Sequence, residues 1–110
     1  MPTGSYLVNT ARGGVVDVGA VAEAIAAGRL AGAGIDVLEQ EPPDAANPLL
    51  AAWRDPGHPA HARVIVNPHV AFYCEEGFRE MRTKGARACR RILSGQPISN
   101  IVNGVGVKML

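Results

Sequence analysis

The sequence predicts an α/β domain: a small parallel sheet of about three strands linked by helices, followed by one long helix. Two patterns and one long segment predict it. Short apolar or β-branched runs at Tyr6-Leu7-Val8, Ala31 to Val37 and Val64-Ile65-Val66 each end abruptly in a turn built on Gly, Asp or Pro. A helical period fills the interval between the first two runs, as in a β-α-β unit, which crosses over right-handed almost without exception. A last periodic segment, from Glu75 to about Leu93, is long enough for about five helical turns.

Composition narrows the class. The chain has 110 residues, 47% hydrophobic and 19% charged, with a net charge of +1. That is one small domain of ordinary globular type, with no bulk electrostatic pull toward nucleic acid or a membrane. No apolar run approaches the roughly 20 residues of a membrane span, and Met1-Pro2-Thr3-Gly4 lacks the parts of a signal peptide, so a cytoplasmic protein is expected. Cys74 and Cys89 are too few for a disulfide framework or a zinc site and are expected to be free thiols in a reducing compartment.

Taken in order, the strand Tyr6 to Val8 delivers Arg12 to the turn Asn9-Thr10-Ala11-Arg12-Gly13-Gly14. Arg12 is the first cationic side chain in the sequence, and its planar fork suits bidentate binding of a carboxylate. By itself it is as readily a surface arginine in a glycine loop. Asp17 is an N-cap for a helix over 18 to 27, with Val18, Val21, Ala22 and Ile25 on one face and Gly28 at the left-handed C′ position. The run Ala31 to Val37 reads as a parallel strand covered on both faces. It carries Asp36, an expensive charge unless something pairs with it.

Leu38 to Arg63 reads as a long loop broken by prolines, with a short turn around Leu49 to Trp53, and its His58 and His61 read as solvated. Val64 to Val66 is the third strand, and Asn67-Pro68 fixes the direction in which His69 leaves it. In the helix from Glu75, residues Phe78, Met81, Gly85, Ala88 or Cys89, and Ile92 share a face. Acidic residues start this helix and Arg87, Arg90 and Arg91 end it, which complements the macrodipole. Its basic residues read as a solvated charged face, so no direct nucleic-acid binding is expected. Gly95 and Pro97 end it, and Ile98 to Leu110 reads as a tail with a short extended piece, Ile101-Val102-Asn103.

Three strand ends thus offer Arg12, then Asp36 with Glu39 and Glu41 behind it, then His69. Each is weak evidence alone, since a histidine after a strand is commonly structural. Together they supply a permanent cation for a carboxylate, an imidazole that exchanges protons near neutrality, and a carboxylate to fix its tautomer. That set moves a proton on an anionic small molecule.

The segments Leu7-Val8-Asn9-Thr10-Ala11-Arg12-Gly13-Gly14, Gly34-Ile35-Asp36-Val37-Leu38-Glu39-Gln40-Glu41-Pro42 and Asn67-Pro68-His69-Val70-Ala71-Phe72-Tyr73 resemble, in order and spacing, the three signatures of the NAD-dependent D-isomer-specific 2-hydroxyacid dehydrogenases. The match runs from about Gly4 to Asn103. In detail the first and third segments look most like the C-terminal-binding-protein branch, some of whose members act as co-repressors; this sequence has Phe72 where that branch has tryptophan. The resemblance implies the C-terminal half of a Rossmann-like doubly wound parallel sheet, with residues 1–110 a partial NAD(P)-binding domain. It implies catalytic roles for Arg12, Glu41 and His69. Arg12 would hold the substrate carboxylate and keto oxygen, His69 would protonate that oxygen, and Glu41 would be the partner of His69. Thr10, Ala11, Arg12, Asp36 and His69 would meet the NAD cofactor, with Asp36 accepting from the nicotinamide carboxamide. Glu39 reads as solvent-facing. The substrate would be a small 2-keto or 2-hydroxy acid, and the helix from 75 to 93 would serve a homodimer. The alternative implied by the branch is a non-catalytic NAD(H)-sensing, co-repressor-like or oligomerisation module.

The Gly-x-Gly-x-x-Gly turn that cradles the pyrophosphate is not in this sequence, and the family carries it upstream. Met1 falls where the family has an internal methionine, so the 110 residues are expected to be the C-terminal third of a dehydrogenase, marginally stable or oligomeric and without turnover alone.

Overall fold

A computed structural model of the chain describes residues 1–99 and residue 101. It divides into two compact units, residues 1–71 and a second beginning at Phe72. The first unit contains β1 (Ser5–Asn9), a 3-10 turn (Gly13–Val15), α1 (Val18–Ala26), β2 (Leu30–Ile35), α2 (Pro48–Arg54) and β3 (Val64–Val66). The three strands form one parallel sheet in the order β1-β2-β3, so their carboxyl ends share an edge.

Local chemistry sets the boundaries. Asp17 caps α1 by accepting from the amide of Ala20 at 3.0 Å. The helix stops because Gly28, at φ +69°, turns left-handed. This turn lets Gly28 and Arg29 donate back to the carbonyls of Ile25 and Ala24. α2 is longer than the turn expected around Leu49 to Trp53. Asn47 caps it through Leu50, and Pro48 occupies its first turn, where a missing amide hydrogen costs nothing. His58 and His61, expected to be solvated, hold the following loop. His58 Nδ1 accepts from the Ala60 amide at 3.1 Å, and His61 Nδ1 lies 2.7 Å from the Trp53 carbonyl.

The core lies between the sheet and the two helices. Val18, Val21, Ala22 and Ile25 of α1 meet Leu30, Ala33 and Ile35 of β2 and Leu49 of α2, with Ile25 and Leu49 fully buried. The expectation that both faces of β2 are covered is corrected. The helices cover one face, and on the other Tyr6, Val8 and Ile65 are each about 70% exposed. The cause is visible in β2, whose outward positions are Gly32 and Gly34. The Tyr6 ring and the Val8 methyls lie over those glycines in place of a helix.

In the second unit, α3 spans Glu75–Leu93 and none of its residues is buried. The Cys74 thiol caps it by accepting from Gly77 at 3.3 Å. Phe72, Tyr73 and Phe78 stack edge to face, with ring centroids 5.1 to 6.3 Å apart. The Arg82 guanidinium sits over the Phe78 ring. Val102 and Asn103 of the expected extended piece lie outside the described residues.

Candidate active site

The carboxyl edge of the sheet gathers the polar residues that leave the strands. β1 ends in Asn9, which is 4% exposed. Its side-chain oxygen accepts from the Ala11 amide at 3.1 Å and its side-chain amide donates to the Arg12 carbonyl at 3.0 Å. This Asx-type turn shapes the Thr10-Ala11-Arg12 loop. Sequence reasoning left Asn9 without a role. Its signal was present: a short amide side chain at the point where a strand must turn. Gly13 then passes so close to the Leu38 carbonyl and Glu39 amide that a Cβ there would overlap them. Only glycine lets the Arg12 loop rest on the backbone that leads to Glu41.

Asp36 links the other two strand ends. It is 4% exposed. Its two carboxylate oxygens accept from the amides of Val70 and Ala71 at 2.9 and 3.0 Å, while its backbone carbonyl accepts from His69 N at 2.9 Å. Its own amide donates to the Asn9 carbonyl at 3.0 Å. The partners that this charge required are therefore backbone amides, which stabilise a carboxylate by charge-assisted hydrogen bonds. Held this way, His69 adopts φ +56°. Left-handed backbone costs a non-glycine residue about 1–3 kcal/mol and persists only where its surroundings over-determine it.

The structure brings together Glu41 and His69, which lie 28 residues apart in sequence. His69 Nδ1 lies 2.6 Å from Glu41 Oε2, with both side chains a little under 40% exposed. The other oxygen of Glu41 accepts from the Leu38 amide at 2.9 Å. The hydrogen bond from His69, and after it the one from Leu38, hold the Glu41 carboxyl below its ordinary range. An ionised carboxylate only accepts, so opposite Glu41 the neutral ring of His69 carries its proton on Nδ1.

Arg12 stands apart from this pair. It follows β1, two strands away from His69, and its guanidinium donates to the neighbouring Ala11 carbonyl at 2.6 Å. Thr10, Ala11 and Arg12 are all exposed, as is Glu39. A cavity of about 420 Å3 opens beside the His69–Glu41 pair, with walls that include Leu38, Leu50, Trp53 and Val66, and with Arg54 on its lining. Arg12 is not on that lining. Nothing in the sequence placed Trp53 and Arg54 here, because the proline-broken loop hides how α2 folds back.

Residues 1–71 match the family described as "D-isomer specific 2-hydroxyacid dehydrogenase, NAD binding domain". The chain is 39% identical over 101 residues to a D-lactate dehydrogenase of Treponema pallidum, covering 88% of this chain and 30% of that one. It is 38% identical over 103 residues to a D-3-phosphoglycerate dehydrogenase of Archaeoglobus fulgidus, covering 94% of this chain and 18% of that one. Among solved structures, a D-lactate dehydrogenase of Aquifex aeolicus complexed with NAD and lactic acid superposes with a TM-score of 0.62 at 28% identity, covering 86% of this chain and 30% of that one. The chain thus spans less than a third of the length of these relatives.

Proposed function

The chain belongs to the D-isomer specific 2-hydroxyacid dehydrogenase family, as part of its NAD-binding domain, and on that premise we propose that it carries the reactive groups of an NAD-dependent oxidoreductase that reduces 2-keto acids to D-2-hydroxy acids. The observation that carries this reading is the 2.6 Å contact between His69 Nδ1 and Glu41. In the reduction, His69 Nε2 gives its proton to the substrate's keto oxygen as that oxygen gains charge, and Glu41 stabilises the imidazolium beforehand and fixes its orientation. Arg12 leaves the Ala11 carbonyl to bind the substrate carboxylate, an exchange of one neutral acceptor for a charged bidentate one. When bound, the reduced nicotinamide supplies the hydride for the carbonyl carbon. The sheet edge suits its nicotinamide end: each Asp36 oxygen keeps a second lone pair for a carboxamide donor, and the exposed Thr10-Ala11-Arg12 loop offers backbone to lie against.

The same reading places the protein in the cytoplasm and makes it a homodimer through α3. Two exposed free thiols support the first, and the exposure of Met81 and Ile92 along α3 supports the second.

The test has two arms. With NADH and pyruvate, glyoxylate or hydroxypyruvate, the 110-residue chain alone is expected to oxidise no NADH, because its sequence has no glycine-rich pyrophosphate turn; a steady fall in nicotinamide absorbance contradicts that. Oxamate, an unreactive mimic of pyruvate, is expected to shift the His69 ring resonances in NMR titration, and Arg12→Ala is expected to weaken this at least about tenfold. Equal oxamate binding by the variant would remove Arg12 from the site.

A further inference from the structure

We propose that the last turns of α3 and the segment folded back beside them form a binding site for a phosphoanion, the phosphate or diphosphate group of a small molecule. After Glu80 the sequence contains no Asp or Glu, while Arg82, Lys84, Arg87, Arg90, Arg91 and Lys108 follow it. Three of these cations share a face, because Lys84, Arg87 and Arg91 stand at i, i+3 and i+7 on α3. That spacing alone makes a solvated stripe. The end of the helix makes it concave. Gly95 turns left-handed at φ +63°, and the amides of Gly95 and Gln96 donate to the carbonyls of Ile92 and Arg91. The chain then doubles back, so that Ile98 and Ser99 join Lys84, Arg87, Ala88 and Arg91 around a cavity of about 280 Å3. This is the small end of the range for ligand pockets, which suits a compact anion. No acidic side chain borders the cavity. Among the described residues neither Arg87 nor Arg91 makes an ion pair, and Lys84 has only the exposed Glu80, at 3.0 Å and off the lining. Like charges one turn apart repel, and the two guanidinium forks match phosphate oxygens. A bound anion of two or more charges relieves the repulsion and uses the forks. This face lies about a quarter-turn round the helix from Met81 and Ile92, and none of its residues belongs to the His69–Glu41 site.

The probe is inorganic diphosphate, titrated into the intact chain at about 0.15 M salt, where a Debye length of about 8 Å screens distant charges. The backbone amide resonances of Ala88, Arg91 and Ser99 are expected to shift together and to saturate. Sulfate, which carries less charge, is expected to bind more weakly. Arg87→Gln and Arg91→Gln each remove one charge-assisted contact from an exposed position and are expected to weaken diphosphate binding by about tenfold or more. Arg90→Gln makes the same change in net charge about 100° round the helix and off the lining, and is expected to bind within about twofold of the parent. Weakening by Arg90→Gln equal to that by Arg87→Gln would overturn the site, because net charge alone then accounts for binding. So would shifts that leave Ser99 unmoved, or equal affinity for sulfate. Tighter binding of a short DNA duplex, with the same loss in all three variants, would also overturn it and make α3 a general polyanion-binding helix.

Discussion

Asp36 shows how one side chain sets the geometry of another. Its carboxylate is bound to the amides of Val70 and Ala71, and its carbonyl to that of His69, so the left-handed backbone of His69 is held from one buried point. Asp36→Ala leaves two amide donors without acceptors, at about 1–3 kcal/mol for each that stays buried. The variant is therefore expected to unfold at lower urea and to lose the His69–Glu41 contact even where it remains folded. Chemical denaturation gives the first and the His69 ring resonances the second; an unchanged ring environment would show that the turn stands without Asp36. The three-motif resemblance made Asp36, Glu41 and His69 legible as candidate site residues. The cradle of amides around Asp36 was not legible, because its two donors lie 34 and 35 residues away and no periodicity encodes them.

At the scale of the elements, glycine placement does what side chains do elsewhere. Gly13 lets the Arg12 loop lie against the backbone between Leu38 and Glu39, three and two residues before Glu41. Gly13→Ala is expected to force those segments apart, destabilising the unit by about 1–3 kcal/mol, as overpacking does in a close-packed interior. It is also expected to displace Glu41 relative to His69, although neither residue is changed. Melting curves together with oxamate titration measure both effects; an alanine variant with parental stability would contradict the close approach. α1 was readable to within a residue because Asp17, the Val18-Val21-Ala22-Ile25 face and Gly28 are local signals. The coverage of β2 was misread for the opposite reason. A run such as Leu30-Ala31-Gly32-Ala33-Gly34-Ile35 looks continuously apolar, yet its two glycines present no side chain for a second layer, and the neighbouring Tyr6 and Val8 lie over them. Arg12 was correctly placed just past a strand end, while its hydrogen bond to the adjacent Ala11 carbonyl depends on which groups lie within reach of the loop.

For the molecule as a whole, the parallel order β1-β2-β3 matters most, because it sends the Arg12 loop, Asp36 and His69 to one edge. The contacts described above for the His69–Glu41 pair lie within residues 1–71, the same span that matches the family's NAD-binding domain. The pair also gives the site its pH dependence. The Glu41 carboxyl is held below its ordinary value of 4.5, so the stabilisation from its ionised form is complete above that value and is lost as pH falls through the lowered one. The direct test of a poised proton donor is to follow the two ring nitrogens of His69 by long-range proton–nitrogen NMR from neutral pH into acid. The neutral ring is predicted to carry its proton on Nδ1 and none on Nε2, with the Glu41 contact surviving until the pH drops below 4.5 and absent in Glu41→Gln throughout. A neutral ring protonated on Nε2, or a Nδ1 signal indifferent to Glu41→Gln, would contradict the assignment of this pair as the proton-transferring site.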